Sequence, residues 1–185
     1  MKTLALLLVV AASPLAAQSG VSPNPTRSAS PLVAGVRSLW EMDREYLTAA
    51  AEQVPDSLYS FKPTPDIRSF GEVLAHVANA QRLFCGMALG EKATDAKWTT
   101  KADIVAALKS SDEYCARAYA MSDTDAEQPL NEAAQATWRS VGLGTPRSRL
   151  HALTLNAWHD NEHYGNVVTY MRLKGMVPPS SQPRK

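Results

Sequence analysis

Apolar residues recur along this chain at helical spacing in four long segments. The first runs from Pro31 to Val54, where the apolar positions, Leu32 and Leu39 among them, fall on one stripe with a period near 3.6 residues. The others run from Ser69 to Gly90, Lys101 to Met121 and Thr145 to Gly175, the last with Trp158 in its apolar set, and a shorter helix is expected from Glu132 to Trp138. We find no useful stretch of the apolar–polar alternation typical of strands. The pattern predicts an all-α protein, an up-and-down or crossover four-helix bundle.

The predicted helices carry recognisable start signals. Ser69 and Glu72 have the S-x-x-E spacing of a capping box, so the second helix is expected to begin directly after Ser69. Thr100 is expected to cap the third helix. For the last helix, Thr145 is the expected cap and Pro146 suits the first helical position.

The N-terminus has the features of a cleaved export signal. Lys2 precedes the apolar run Leu4 to Ala12, and small residues lead to an expected cleavage site after Ala17. The run is much shorter than the ~20 apolar residues of a membrane span, so no stable membrane insertion is expected. We predict a signal peptide at 1–17, a disordered leader at 18–30, the bundle at 31–179 and a tail at 180–185. The mature protein is therefore expected to be exported, periplasmic or secreted.

The overall composition is that of an ordinary globular domain with balanced charge. Lys and Arg total 19 against 18 Asp and Glu, and hydrophobic residues make up 45% of the chain. Because no basic cluster stands out, the sequence predicts no nucleic-acid partner.

The two cysteines lie on different predicted helices. Cys85 is nine residues after His76, which places it about 180° away around the second helix and argues against a role as a metal ligand there. Cys115 lies on the third helix. In an exported protein a Cys85–Cys115 disulfide is the favoured interpretation. Two buried free thiols are the alternative.

The main chemical feature of the sequence is its arrangement of histidines. His159 and His163 are four residues apart, so they lie on the same face of a helix and can share one metal ion. His76, far upstream, also lies in a helical pattern. Three neutral imidazoles with an open fourth position form the ligand set of a catalytic zinc site. His151 has no evident partner and is expected to have no role.

Several polar neighbours lie close to these histidines along the chain. Asn156 and Asn166 are spaced three residues from His159 and His163 respectively, and such groups can orient imidazole rings. Glu72 lies one turn before His76 and is a candidate general base, orienting group or fourth ligand. Asp160 and Glu162 point about 100° away from one ligand each, so solvent-exposed positions are at least as plausible for them.

The motif H-x-x-x-H-Y-G-N, with an upstream histidine in G-E-V-L-A-H-V-A-N, resembles the DinB-like superfamily, which includes metal-dependent hydrolases of the YfiT type. The similarity extends from about Ser38 to Pro179. It implies a four-helix bundle with a three-histidine metal site, whose ligands here are His76, His159 and His163, and it is compatible with a homodimer. Many members have H-R-G-Q where this chain has His163-Tyr164-Gly165-Asn166, so close transfer of activity is not implied.

The sequence and the resemblance together predict an exported metal-dependent hydrolase with an unknown small-molecule substrate. His76, His159 and His163 would hold zinc, nickel or iron, and a bound water would fill the open position. A non-catalytic metal-binding or stress-associated scaffold is the first alternative. A metal-dependent thiol transferase is the second, although low-molecular-weight thiols such as bacillithiol are cytosolic and fit an exported protein less well.

Overall fold

The computed structural model describes residues 30–145 and 147–183, and these residues form helices joined by loops. The predicted signal peptide 1–17, the leader up to residue 29, Pro146 and the last two residues lie outside the described part. The helices are α1 (Pro31–Gln53), α2 (Phe70–Leu89), α3 (Lys101–Ala118), α4 (Asp123–Glu127), α5 (Glu132–Ser140) and α6 (Arg149–Leu173), with 3-10 turns at Asp56–Leu58 and Pro179–Ser181.

The four long helices pack as a bundle, which confirms the predicted all-α fold. α2 lies against both α3 and α6, and α1 lies against α6 and, over a smaller area, α3. The short α4 packs on α6 and α1, and α5 packs on α2. The sequence predicted α5 but not α4, a single five-residue turn capped by Ser122. Within the described residues, no helix is both long and apolar enough to cross a membrane.

The helix starts are correct for α2 and α3 and wrong for α6. Ser69 and Glu72 form the full capping box, and the Thr100 side chain accepts a hydrogen bond from the Asp103 amide. The predicted cap at Thr145 is wrong because the extended backbone of Ser148 precedes the first helical residue, and the Ser148 side chain caps α6 instead. The amide of Arg149 donates to the Gln128 carbonyl, which fixes where α6 begins.

The core-facing side of α6 differs from the apolar stripe predicted for it. Trp158, expected in the core, is 61% exposed, whereas Asn156 and Asp160 are completely buried. The expectation that a solvent-exposed position is at least as plausible for Asp160 as one near the histidines is therefore wrong. On α1, Leu32 and Leu39 also lie on the surface rather than in the core. The assignment of α6 failed because its buried face carries polar groups that find partners elsewhere in the bundle.

Asp160 belongs to a buried polar chain that joins three helices. Its Oδ2 atom accepts a hydrogen bond of 2.9 Å from the Gln81 amide on α2, and the Ser111 hydroxyl on α3 donates to the Gln81 carbonyl oxygen. Burial raises the pKa of Asp160 well above its ordinary value, because the charged carboxylate is costly away from water. These hydrogen bonds fix how α2, α3 and α6 are rotated relative to one another. His159 directly precedes Asp160 in the sequence, so the same contacts help to position it.

The predicted Cys85–Cys115 disulfide is confirmed. The two residues join α2 to α3 with a Cα–Cα distance of 5.3 Å, and both are completely buried. Closing a loop of 30 residues removes unfolded-state entropy worth about 3.5 kcal/mol in the chain-entropy model. The disulfide therefore holds the C-terminal part of α2 against α3, and His76 lies on the opposite face of α2.

Candidate metal centre

Three imidazole rings meet between α2 and α6. His76 comes from α2, and His159 and His163 come from successive turns of α6. The Nε2 atom of His159 lies 3.1 Å from that of His76 and 3.1 Å from that of His163. Ligand atoms of all three residues lie within 4.8 Å of one another. The predicted constellation is therefore assembled by the fold, with His159 in the middle.

This spacing fits a tetrahedral metal ion. Two imidazole nitrogens bound at 2.0–2.1 Å in tetrahedral geometry lie about 3.3 Å apart, close to the observed 3.1 Å separations. A neutral imidazole carries one N–H, so three converging Nε2 atoms cannot all satisfy one another by hydrogen bonding. A cation at their centre would give each nitrogen lone pair a partner.

The surroundings keep the three rings in the neutral form that binds metals. Desolvation by burial is the main cause, and it lowers the pKa of His76 to about 4, that of His159 to about 3 and that of His163 below its ordinary value. The positive charge of Arg68 further lowers the pKa of all three. Because a metal ion competes with protons for imidazole nitrogen, rings that resist protonation favour metal binding.

The predicted orienting asparagines behave differently from each other. Asn166 contacts His163, with its side-chain amide 3.2 Å from Nδ1. The amide oxygen and nitrogen have nearly the same shape, so this side chain can accept from an Nδ1–H when Nε2 faces a metal. Asn156 does not orient His159; its amide donates to the Tyr119 hydroxyl at 3.2 Å. The Nδ1 atom of His159 is buried without a hydrogen-bond partner.

Glu72 lies at the N-terminus of α2 rather than in the histidine group. Its Oε2 atom accepts a 2.6 Å hydrogen bond from the Ser69 amide and lies 3.3 Å from Lys62 Nζ. These contacts lower the pKa of Glu72, the Ser69 hydrogen bond most strongly, and its side chain is 57% exposed. Glu72 is thus an ionised helix cap one turn from His76, and its role as a general base stays a prediction.

A pocket of about 600 Å³ opens beside the triad, and His76 forms part of its wall. The remaining wall comes from three places: the loop before α2, the first turns of α2, and the loop between α2 and α3. It is a wide depression open to solvent rather than an enclosed cavity. We refer to it as the His76 pocket; besides His76 and Glu72, its side chains relevant to chemistry are Lys62, Asp66, Ile67, Arg68, Asn79, Lys97 and Trp98.

Sequence reasoning missed three residues that shape this centre. Arg68 sits directly before the Ser69 cap, and Asn79 is three residues after His76 on the same face of α2. Phe84 packs its ring against that of His159 with centroids 5.5 Å apart. Only Asn79 carried a sequence signal, through its helical spacing from His76. His151 lies outside the triad and packs against Trp138, with ring centroids 4.7 Å apart.

Comparisons with known proteins point to one family. The chain resembles a DinB-like protein from Bacillus cereus (17% identity, TM-score 0.64, covering 79% of this chain and 95% of that one). It also resembles a DinB-like protein from Bacillus subtilis (19% identity, TM-score 0.60, covering 82% and 99%). At such identities the likeness shows the fold alone. Among curated proteins, none matches this chain. Because the sequence profile of the DinB superfamily matches residues 39–167, more than half of its length, the chain belongs to the DinB superfamily.

Proposed function

We propose that His76, His159 and His163 hold a divalent metal ion (zinc, nickel or iron) and that the protein is a metal-dependent hydrolase of a small molecule. One observation carries the proposal: the ligand atoms of the three histidines converge between α2 and α6, and one of these histidines, His76, lines the His76 pocket. Among the described residues, no Asp, Glu, Cys or further His joins this group as a fourth ligand. Three protein ligands with an open position are typical of catalytic sites, whereas structural sites are closed by four.

The residues of this chain have separable roles in the proposed reaction. A divalent ion, when bound, supplies Lewis-acid chemistry and lowers the pKa of a bound water. The triad histidines hold the ion in their neutral forms, and Asn166 orients the His163 ring through its Nδ1 atom. The His76 pocket would receive the substrate. Glu72 is the proposed proton acceptor, and its Lys62 and Ser69 contacts would have to be exchanged for that task.

The proposal includes export to the periplasm or the outside of the cell. The buried Cys85–Cys115 disulfide supports it, because such bonds persist mainly in oxidising compartments. A homodimer also stays a proposal. Exposed apolar side chains of α1 and α6, Leu39, Met42 and Trp158, lie together around a surface cleft and would suit self-association, which sedimentation equilibrium would test.

The first experiment measures metal content and hydrolysis together. Protein stripped with a chelator is reloaded with zinc, nickel or iron, and each form is tested on ester, lactone, amide and phosphoester substrates. We expect about one ion per chain and metal-dependent hydrolysis, both lost in His163→Ala. The matched control, His151→Ala on the same helix, should keep both.

The outcomes also separate the alternatives. Stoichiometric metal without hydrolysis on any substrate class would favour the non-catalytic scaffold. A reaction that requires an added low-molecular-weight thiol would favour a thiol transferase, for which the His76 pocket offers the groove beside the metal that such chemistry needs. An unchanged metal content in His163→Ala would reject the triad as the binding site.

A further inference from the structure

We propose that the His76 pocket binds the anionic end of a small substrate, a carboxylate or a phosphate-type group, through Arg68. This inference rests on the proposed function and narrows its substrate class to small organic anions. The observation behind it is a guanidinium that lies at the wall of the pocket, next to the triad, with no acidic partner.

Like Lys97, Arg68 is a cation of this pocket that forms no salt bridge within the described residues. Among the described residues it makes no ion pair, and no hydrogen bond involves its side chain. Its charge nevertheless acts on all three triad rings. A guanidinium presents a planar fork of N–H donors that matches carboxylate and phosphate oxygens. Because Arg68 and His76 line the same pocket, an anion held by Arg68 would lie in the same cavity as one ring of the triad.

The backbone at Arg68 is fixed although its side chain is free. Its carbonyl accepts a 2.5 Å hydrogen bond from the Tyr170 hydroxyl on α6, the helix that carries His159 and His163. The next residue, Ser69, is held in the capping box of α2. Arg68 is therefore anchored to both helices of the triad, so the distance from its Cα to the triad is set by the fold.

The opposite wall of the pocket, the loop between α2 and α3, is attached to α2, the helix that carries His76. The Asn79 side chain donates a 2.8 Å hydrogen bond to the Ala96 carbonyl and accepts a 3.1 Å bond from the Ala96 amide. This pair of bonds holds the loop between α2 and α3 over the same face as His76, and brings Lys97 and the half-buried Trp98 to the pocket. The loop supplies a second cation and an apolar ring for the body of a ligand.

The charges of the pocket favour a single negative group. Its lining carries Lys62, Arg68 and Lys97 against Asp66 and Glu72. The Glu72 carboxylate is already compensated by Lys62 at 3.3 Å. Among the residues that line the pocket, Arg68 and Lys97 are then opposed by Asp66 alone, an excess of one positive charge; Asp95 on the same loop lies outside the lining but also acts on His76.

The test compares small hydroxamic acids that carry an anionic group with neutral counterparts that lack it. The hydroxamate group binds zinc, so each probe reports on the metal as well as on the pocket. Succinohydroxamic and glutarohydroxamic acids carry a distal carboxylate, 3-phosphonopropionohydroxamic acid carries a phosphonate, and butyrohydroxamic and valerohydroxamic acids are neutral counterparts. Affinities for the zinc-loaded protein are measured by calorimetry in wild type, Arg68→Gln and the control Arg37→Gln, an exposed arginine paired with Glu41 on α1.

We expect at least one anionic probe to bind about tenfold more tightly than its neutral counterpart, as a charge-assisted hydrogen-bonded pair implies. Arg68→Gln should bring that ratio close to one without changing the affinity of the neutral probe, and Arg37→Gln should keep the ratio. The preferred anion, carboxylate or phosphonate, identifies the group.

Two results would overturn the inference. Equal affinities for charged and neutral probes, or a preference that survives Arg68→Gln, would remove Arg68 as an anion site while leaving the metal centre intact. Failure of zinc, nickel and iron all to bind, and with them of the neutral hydroxamates, would overturn the proposed function and this inference together. The exposed Arg68 side chain can be replaced without disturbing the core, so misfolding does not confuse the comparison.

Discussion

Metal binding should raise the unfolding temperature of this protein, because the ion would link α2 to α6. His76 is separated from His159 by 83 residues along the chain. Unfolding therefore disperses the three-ligand site and leaves at most the local His159–His163 pair. The cysteines are joined in a disulfide and offer no thiolates to the unfolded chain. A metal that binds the folded state so preferentially stabilises it by mass action.

The size of the effect follows from the concentration of free metal. At zinc one hundredfold above its dissociation constant, the stabilisation is about 2.7 kcal/mol. A protein of this length gains roughly 2–4 °C in Tm for each kcal/mol, so the expected rise is about 5–10 °C. Removing His76 leaves both remaining ligands on α6, where they no longer connect two helices, and the rise should largely vanish.

Differential scanning calorimetry of chelator-treated and zinc-loaded samples measures this directly. The wild type, His76→Ala and His151→Ala are each compared with their own metal-free form, so the packing cost of each substitution cancels. His151→Ala should keep the full shift, since its ring packs on Trp138 outside the triad. An equal shift in His76→Ala, or none in the wild type with zinc, nickel or iron at saturating concentration, would refute the assignment of the site.

Three further predictions concern the rest of the fold. Burial is the main reason that the pKa of Asp112, on α3, is raised to about 6. The contribution of its protonated form to stability is full below the unfolded value of 3.8 and is lost as the pH rises through about 6. Urea unfolding should show the wild type losing about 2 kcal/mol between pH 4.5 and 7.5 from this group, and Asp112→Asn lacking that loss; parallel pH profiles would contradict it. Replacing Cys85 and Cys115 together by alanine should lower the free energy of unfolding by about 3–4 kcal/mol, and a loss under 1 kcal/mol in the same assay would argue against an entropic role for the bond. Intact-mass analysis of exported protein should find the chain beginning near Gln18, and a retained Met1 would reject the cleavage site.

The sequence by itself determined the local features. Helical periodicity placed α1, α2, α3 and α5 to within a few residues. The capping box at Ser69 and the cap at Thr100 were readable because each depends on hydrogen bonds within one turn. The pairing of His159 with His163 was equally local, since residues four apart share a helix face.

Only the tertiary structure decided which polar side chains are buried. Apolar periodicity alone assigned Trp158 to the core, yet Asp160 and Asn156 occupy the inner face of α6. Their burial is tolerated because Gln81 and Tyr119, from α2 and the end of α3, supply hydrogen bonds. Partners so distant along the chain leave no periodic trace in the sequence.

The meeting of His76 with the α6 pair and the pocket beside it were likewise decided by packing. The resemblance implied this ligand set, but the 3.1 Å spacing depends on how α2 and α6 are rotated and shifted against each other. The Arg68 wall of the pocket depends on Tyr170, and the opposite wall on the Asn79–Ala96 bonds. Such contacts join residues from separate elements, so their geometry is fixed only when the bundle is assembled.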